Sequence, residues 1–156
     1  MSDIIRPTNL TVKTYEICNL NNVNRNSANF IKIVNVSEIN RRVLSVGLSV
    51  TSLVQFETGG AGFSKHVPAS VKYIRITNLD DTNYIDLTAS DHTTPGSAGQ
   101  LFAIRLGAGK TFMLGSTSFN AATSDGDNSI AASDTIQEIT GIANTAACDI
   151  EMYIAS

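Results

Sequence analysis

A chain of 156 residues with 42% apolar side chains and a formal charge of −3 has the size and balance of one globular domain with a real core. No window clusters Lys and Arg with interleaved aromatics, so a nucleic-acid backbone has nothing to hold it and nucleic acid is not an expected partner. The opening MSDIIRPTNL has no apolar run of signal-peptide length, and no stretch approaches the roughly 18 apolar residues of a membrane span, so neither export nor membrane insertion is expected.

Taken in chain order, residues 1–29 read as an N-terminal segment. Its apolar residues Ile4, Ile5, Leu10 and Val12, with Pro7 among them, suit either an arm that reaches a neighbour or a short tail leading into a first strand near 10–18. NLNNVNRNSAN (19–29) is a turn cluster, because Asn tolerates left-handed backbone and bonds its own main chain. Residues 30–156 read as a single β-sandwich domain, beginning with a strand at 30–36. VLSVGLSVTSLVQF (43–56) keeps Leu44, Val46, Leu48, Val50, Val54 and Phe56 on one parity; it is too long for one strand, so two strands or one bent strand are expected. TGGAG (58–62) is a turn, followed by strands at 71–78 and 84–89 and a second turn cluster, SDHTTPGSAG (90–99). LFAIRL places Phe102, Ile104 and Leu106 inward, and further strands follow at 111–115 and 135–142, separated by NAATSDGDNSIAASD (120–134). CDIEMYIA closes the chain with the cleanest alternation: Cys148, Ile150, Met152 and Ile154 on one face, Asp149, Glu151 and Tyr153 on the other. No stretch of ten residues keeps a 3.6-residue period. The class is therefore all-β with little helix, an antiparallel β-sandwich or jelly roll.

A repeat lies inside the chain. FIKIVNVSEINRRVLSV (30–46) laid over YIRITNLDDTNYIDLTA (73–89) matches at five positions, Ile31 with Ile74, Ile33 with Ile76, Asn35 with Asn78, Asn40 with Asn83 and Leu44 with Leu87. Each copy reads as a hairpin with a polar loop, which implies two equivalent hairpins in a two-layer sandwich. A Gly-Ala-Gly corner follows each copy, at 60–62 and 107–109.

The candidate chemistry is thin. LGAGKTF (106–112) ends like a phosphate loop, but Ile104 stands where the first glycine of that loop belongs and no helical period follows. A turn is expected, with Gly107 and Gly109 supplying positive φ and Lys110 in solvent. Asp91 and His92 sit among serines without a nucleophile elbow, and His66 beside Val67 and Pro68 reads as a loop or edge residue. Asp125 to Ser129 begins like a calcium loop, but Ile130 and Ile136 occupy the positions that need Gly and Glu. The acidic residues fall in turns or on outward parity. Cys18 and Cys148 read as two buried thiols that could pair only if the first and last strands were neighbours. The N-x-[ST] matches at Asn9 and Asn35 are formal only. No catalytic, cofactor or metal site is assigned.

Three stretches, KYIRITNLDDTNYIDL (72–87), FAIRLGAGKTFML (102–114) and TAACDIEMYIAS (145–156), together resemble the small all-β virion proteins of tailed bacteriophages, notably those of cyanobacterial and marine phages. The resemblance covers residues 71–156 best and implies a non-enzymatic capsid cement or decoration subunit. It would form a homotrimer, contact the major capsid protein or other virion proteins, and reside in the virion after synthesis in the host cytoplasm. A tail, baseplate or fibre module, including one that binds a receptor or carbohydrate, is the alternative. No site residues carry over.

Overall fold

The computed structural model describes residues 6–56, 65–67, 70–90, 100–115 and 136–156. Among the described residues thirteen strands run in chain order: β1 (Thr8–Glu16), β2 (Asn19–Leu20), β3 (Val23–Asn24), β4 (Ser27–Val36), β5 (Ile39–Val46), β6 (Thr51–Phe56), β7 (Lys65–His66), β8 (Tyr73–Asn78), β9 (Ile85–Ser90), β10 (Gln100–Leu106), β11 (Thr111–Gly115), β12 (Glu138–Ala143) and β13 (Cys148–Ala155). No described residue is helical.

Eight of these strands make two facing sheets, ordered β11-β8-β13-β5 and β10-β9-β12-β6, the second extended by the two-residue β7. Every pairing within the eight is antiparallel; only β6 with β7 is parallel. Numbered along the chain as first to eighth, the strands give one sheet in the order 6-3-8-1 and the other in the order 5-4-7-2. That is the strand order of a jelly roll, in which the chain crosses between the sheets at most connections and buries the two inner faces against each other.

The alternation in the sequence explains which side chains meet. Ile74 and Ile76 of β8, Ile85 and Leu87 of β9 and Cys148, Ile150, Met152 and Ile154 of β13 all enter one buried cluster, with Val46, Leu53, Val54, Phe56 and Leu106. Gly141 of β12 is needed at this packed centre, because a Cβ there would stand 3.1 Å from Leu53 Cδ1.

Three expectations are corrected. Leu48 and Val50 share parity with Val46 and Val54, yet both are exposed. The chain leaves one sheet at Val46 and enters the other at Thr51, so the strand period ends between them. Ile104 is likewise partly open at 38% exposure, whereas Leu106 is buried. The repeated segments are strand–corner–strand units whose strands do not pair with each other. β4 pairs with β1 and β5 with β13, while β8 and β9 lie in different sheets. The first corner is set from outside itself: Ser156 O accepts from Ser37 N at 2.7 Å and from Glu38 N at 3.0 Å. This clasp directs β5 toward β13 instead of back along β4.

The remaining strands form an N-terminal hairpin outside the sandwich. β1 and β4 pair from Thr8↔Val36 to Glu16↔Ser27, so the expected boundary between residues 29 and 30 falls inside β4. A bulge near the base accommodates Asn35 in the left-handed region at φ 57°. At the tip, β2 and β3 make a small hairpin inside the expected turn cluster, and its turn is Asn21-Asn22, with φ of 51° and 62°. Two successive positive φ values are what a type I′ turn requires, and Asn is one of the few residues that adopts them readily.

Candidate interaction surface

The glycine stretch is a corner. Gly109 alone of its two glycines has positive φ, 65°, which corrects the expectation for Gly107. Lys110 N donates to Gly107 O at 3.0 Å and Gly109 N to Asp80 O at 3.0 Å, so the backbone donors that would cradle an anion serve the turn. Lys110 itself is exposed.

The hub behind this corner is Asn78, fully buried at the end of β8. Its amide Nδ2 donates to Asn83 O at 2.8 Å and to Leu106 O and Gly107 O at 3.2 Å, and its Oδ1 accepts from Asp80 N at 3.0 Å. Asp80 then accepts from Asn83 N at 2.6 Å and Thr82 N at 2.8 Å, and these bonds hold its carboxyl below the ordinary range.

Asp91, His92 and Asp125 to Ser129, with the corner at 60–62, lie outside the described residues. Among the described residues no three His, Cys, Asp or Glu side chains gather where a metal ion could sit. His66 lies in β7 at the edge of its sheet, and burial together with the Arg42 charge lowers its pKa. Cys148 is buried, but Cys18 is exposed near the hairpin tip, and both are free thiols. Burial is also the main cause that pushes the Cys148 thiol up. The expectation that acids face outward or lie in turns misses Glu138, which is fully buried. Its register partners are Gln55 and Ser90, on the face away from the core, and Gln55 Nε2 donates to its Oε1 at 3.2 Å.

The prominent surface feature is the hairpin. Antiparallel register partners share a face. Leu10, Val12 and Ile33 therefore form an inner face, and they pack on Tyr73, Tyr153 and Ala155 of the four-stranded sheet. Thr11, Lys13 and Tyr15 with Phe30 and Lys32 form the outer face. There Tyr15 and Phe30 meet edge to face at 5.9 Å, and Lys13 Nζ lies 5.7 Å from the Phe30 ring. Tyr15, Phe30, Ile31 and Val34 are all about half exposed or more, and at the tip Ile17 is 86% and Leu20 58% exposed. The sequence carried a signal for this: FIKIVNV is apolar on both parities, and a strand outside a sandwich cannot bury both.

Beside the hairpin runs a groove of about 490 Å³. Its wall is β1 from Leu10 to Tyr15, of both parities, and its floor is Tyr73, Arg75, Thr111, Met113 and Tyr153. Tyr73 and Tyr153 stack edge to face at 6.2 Å, and the Arg75 guanidinium sits 5.8 Å from the Tyr153 ring. On the same face Glu151 receives Arg41 Nε at 2.8 Å and also Arg75 Nη2. The bond from Arg41 is the first cause of its depressed pKa. Further along this face β5 turns Ile39 and Val43 outward, at 51% and 60% exposure.

The fold and this surface define a jelly-roll body carrying an apolar, aromatic hairpin arm. No family model, curated protein or solved structure matches the chain.

Proposed function

We propose that this chain is a non-enzymatic structural component of a phage virion, a capsid cement or decoration subunit that contacts the major capsid protein and its own copies as a homotrimer. The observation that carries the reading is the arm: a 29-residue hairpin, residues 8–36, with large apolar side chains in solvent on a rigid jelly-roll body. Contiguous exposed apolar surface marks a site of association in soluble proteins. The jelly roll is a fold of viral capsid proteins, an argument by analogy of fold, and the resemblance of residues 71–156 to small phage virion proteins points the same way. Co-sedimentation of the purified chain with emptied phage capsids tests the reading. Binding that saturates at a fixed number of copies per capsid is expected, and a chain left wholly in the supernatant refutes it.

A tail, baseplate or fibre module that binds a receptor or carbohydrate is the second reading, favoured by the groove that Tyr73, Tyr153 and Tyr15 line beside Arg75. Capsids without bound chain, together with a positive signal on a glycan array, would select it.

A further inference from the structure

The assembly reading leaves open which surfaces meet, and two unsatisfied surfaces of different kinds lie on the same chain. One is the outer face and tip of the hairpin, with Tyr15, Phe30, Ile17 and Leu20 in solvent. The other is the half of the four-stranded sheet that the hairpin does not cover. The arm buries Tyr73 and Ala155, whereas Ile39 and Val43 on the edge strand β5 remain open on that same outer face.

Resting on the assembly reading, we propose that the hairpin of one copy docks across β5 and the Asp149 end of β13 on the outer sheet face of a second copy. Charge selects this occupant. Arg6, Lys13, Arg25 and Lys32 against Glu16 give residues 6–36 a formal +3 within a chain of −3. Two arms laid side by side repel, while an arm laid on the acidic end of a neighbour's outer sheet face is attracted. The acceptor face carries Asp149 on β13, in register with Ser45, while Arg41, exposed between Ile39 and Val43, is balanced by its ion pair with Glu151. Asp80 and Asp81 follow close by, since Leu79 N bonds Asp149 O at 2.8 Å. Lys13 and Lys32 thus have carboxylates to meet, and Tyr15 and Phe30 have Ile39 and Val43 to cover. Rigid aromatics of this kind are the usual anchors of interfaces.

The contact is heterologous, because the arm and the acceptor are different patches. Each copy donates one arm and accepts another, and the array closes as a ring when the rotation permits.

Two variants separate the halves. Tyr15→Ser with Phe30→Ser removes the arm's anchors, and Ile39→Lys with Val43→Lys makes the acceptor repel a basic arm. All four side chains are exposed, so both variants keep the wild-type melting temperature within a few degrees, and a melt confirms folding before association is measured. By light scattering and sedimentation equilibrium at micromolar concentration the wild-type chain is an oligomer. Each variant alone associates at least about 30-fold more weakly and runs as a monomer, as expected for loss of an interface hot spot. Mixed one to one, the variants form a dimer, because the intact acceptor of one takes the intact arm of the other. A monomeric wild type, variants that still assemble, or a mixture that stays monomeric overturns the docking. Arm-to-arm pairing gives the second result, because the acceptor variant keeps its arms intact and still assembles. A monomeric wild type that nonetheless co-sediments with capsids overturns this inference alone, and an oligomer that ignores capsids overturns the virion reading alone.

Discussion

Replacing Asn78 with alanine tests how the jelly roll is held at its glycine corner. The side chain is fully buried, and its two amide hydrogens serve three carbonyls, those of Asn83, Leu106 and Gly107, while its oxygen accepts from Asp80 N. A net hydrogen bond contributes about 0.5–1.5 kcal/mol, and a buried group left without its partner costs about 1–3 kcal/mol. Two donors and one acceptor therefore make the loss about 3 kcal/mol, before any cavity. For a chain of 156 residues each kcal/mol lowers the melting temperature by roughly 2–4 °C, so the variant should melt about 6–12 °C below wild type. Urea unfolding followed by far-ultraviolet circular dichroism measures the same loss, with the midpoint lowered and the slope unchanged. Asn78→Asp is the sharper variant, because it keeps the volume and turns an acceptor-only carboxylate toward three carbonyls; it should cost at least as much as alanine. An alanine variant within about 1 kcal/mol of wild type, or an aspartate variant that is tolerated, refutes the reasoning.

Two further outcomes follow from packing and charge. Gly141→Ala sets a methyl 3.1 Å from Leu53 Cδ1 and 3.5 Å from Ile85 and Val46, so Leu53 must yield and stability falls by about 1–3 kcal/mol in urea unfolding; a neutral or stabilised variant would show that the two sheets separate more easily than this packing implies. Glu151 has a folded pKa held below its ordinary 4.5 by Arg41 and Arg75, so the unfolded chain binds the extra proton. Its contribution is complete above that ordinary value and is lost as the pH falls through the lower folded one. Melting temperatures of wild type and Glu151→Gln should accordingly converge below about pH 4.5, and a gap that stays constant down to about pH 3 would remove the carboxylate from the account.

What could be read in the sequence depended on whether a residue's surroundings were local. β13 was legible side chain by side chain, because a central strand with one face on the core repeats its environment every second residue, and β11 was legible for nearly the same reason. Partner choice was not legible. The segments 30–46 and 73–89 look like hairpins because each places a polar loop between two strands. Yet the first corner is fixed by Ser156, more than a hundred residues away in sequence, and the second by Asn78 reaching Leu106 and Gly107. Leu48 and Val50 kept the parity of buried neighbours while the chain was already turning between sheets. Glu138 looked solvated because it is charged. Its register opposite Gln55 supplies a bond to one of its two carboxyl oxygens, and no local pattern encodes a register.

The separation between body and arm also shows in how their free strand edges are built. The free edge of β5 is guarded, since Arg42 points inward and its Nη2 donates to Leu53 O, and an inward charge is one of the ways a protein keeps an edge strand from pairing at random. The hairpin is guarded more lightly, by Lys13 and the bulge near its base, and among the described residues the outer edge of β1 is unpaired. Leu10, Val12, Ile33 and the buried Val36 tie it to the body, while Tyr15, Ile17, Leu20 and Phe30 stay in solvent and add little to the stability of the isolated chain. Substitutions at Tyr15, Ile17, Leu20 or Phe30 should then change association while leaving unfolding almost untouched, whereas substitutions at Ile74, Ile150 or Met152 should do the reverse. In this chain the residues that make the fold and the large apolar residues left in solvent are different residues, and the protruding hairpin is where they part.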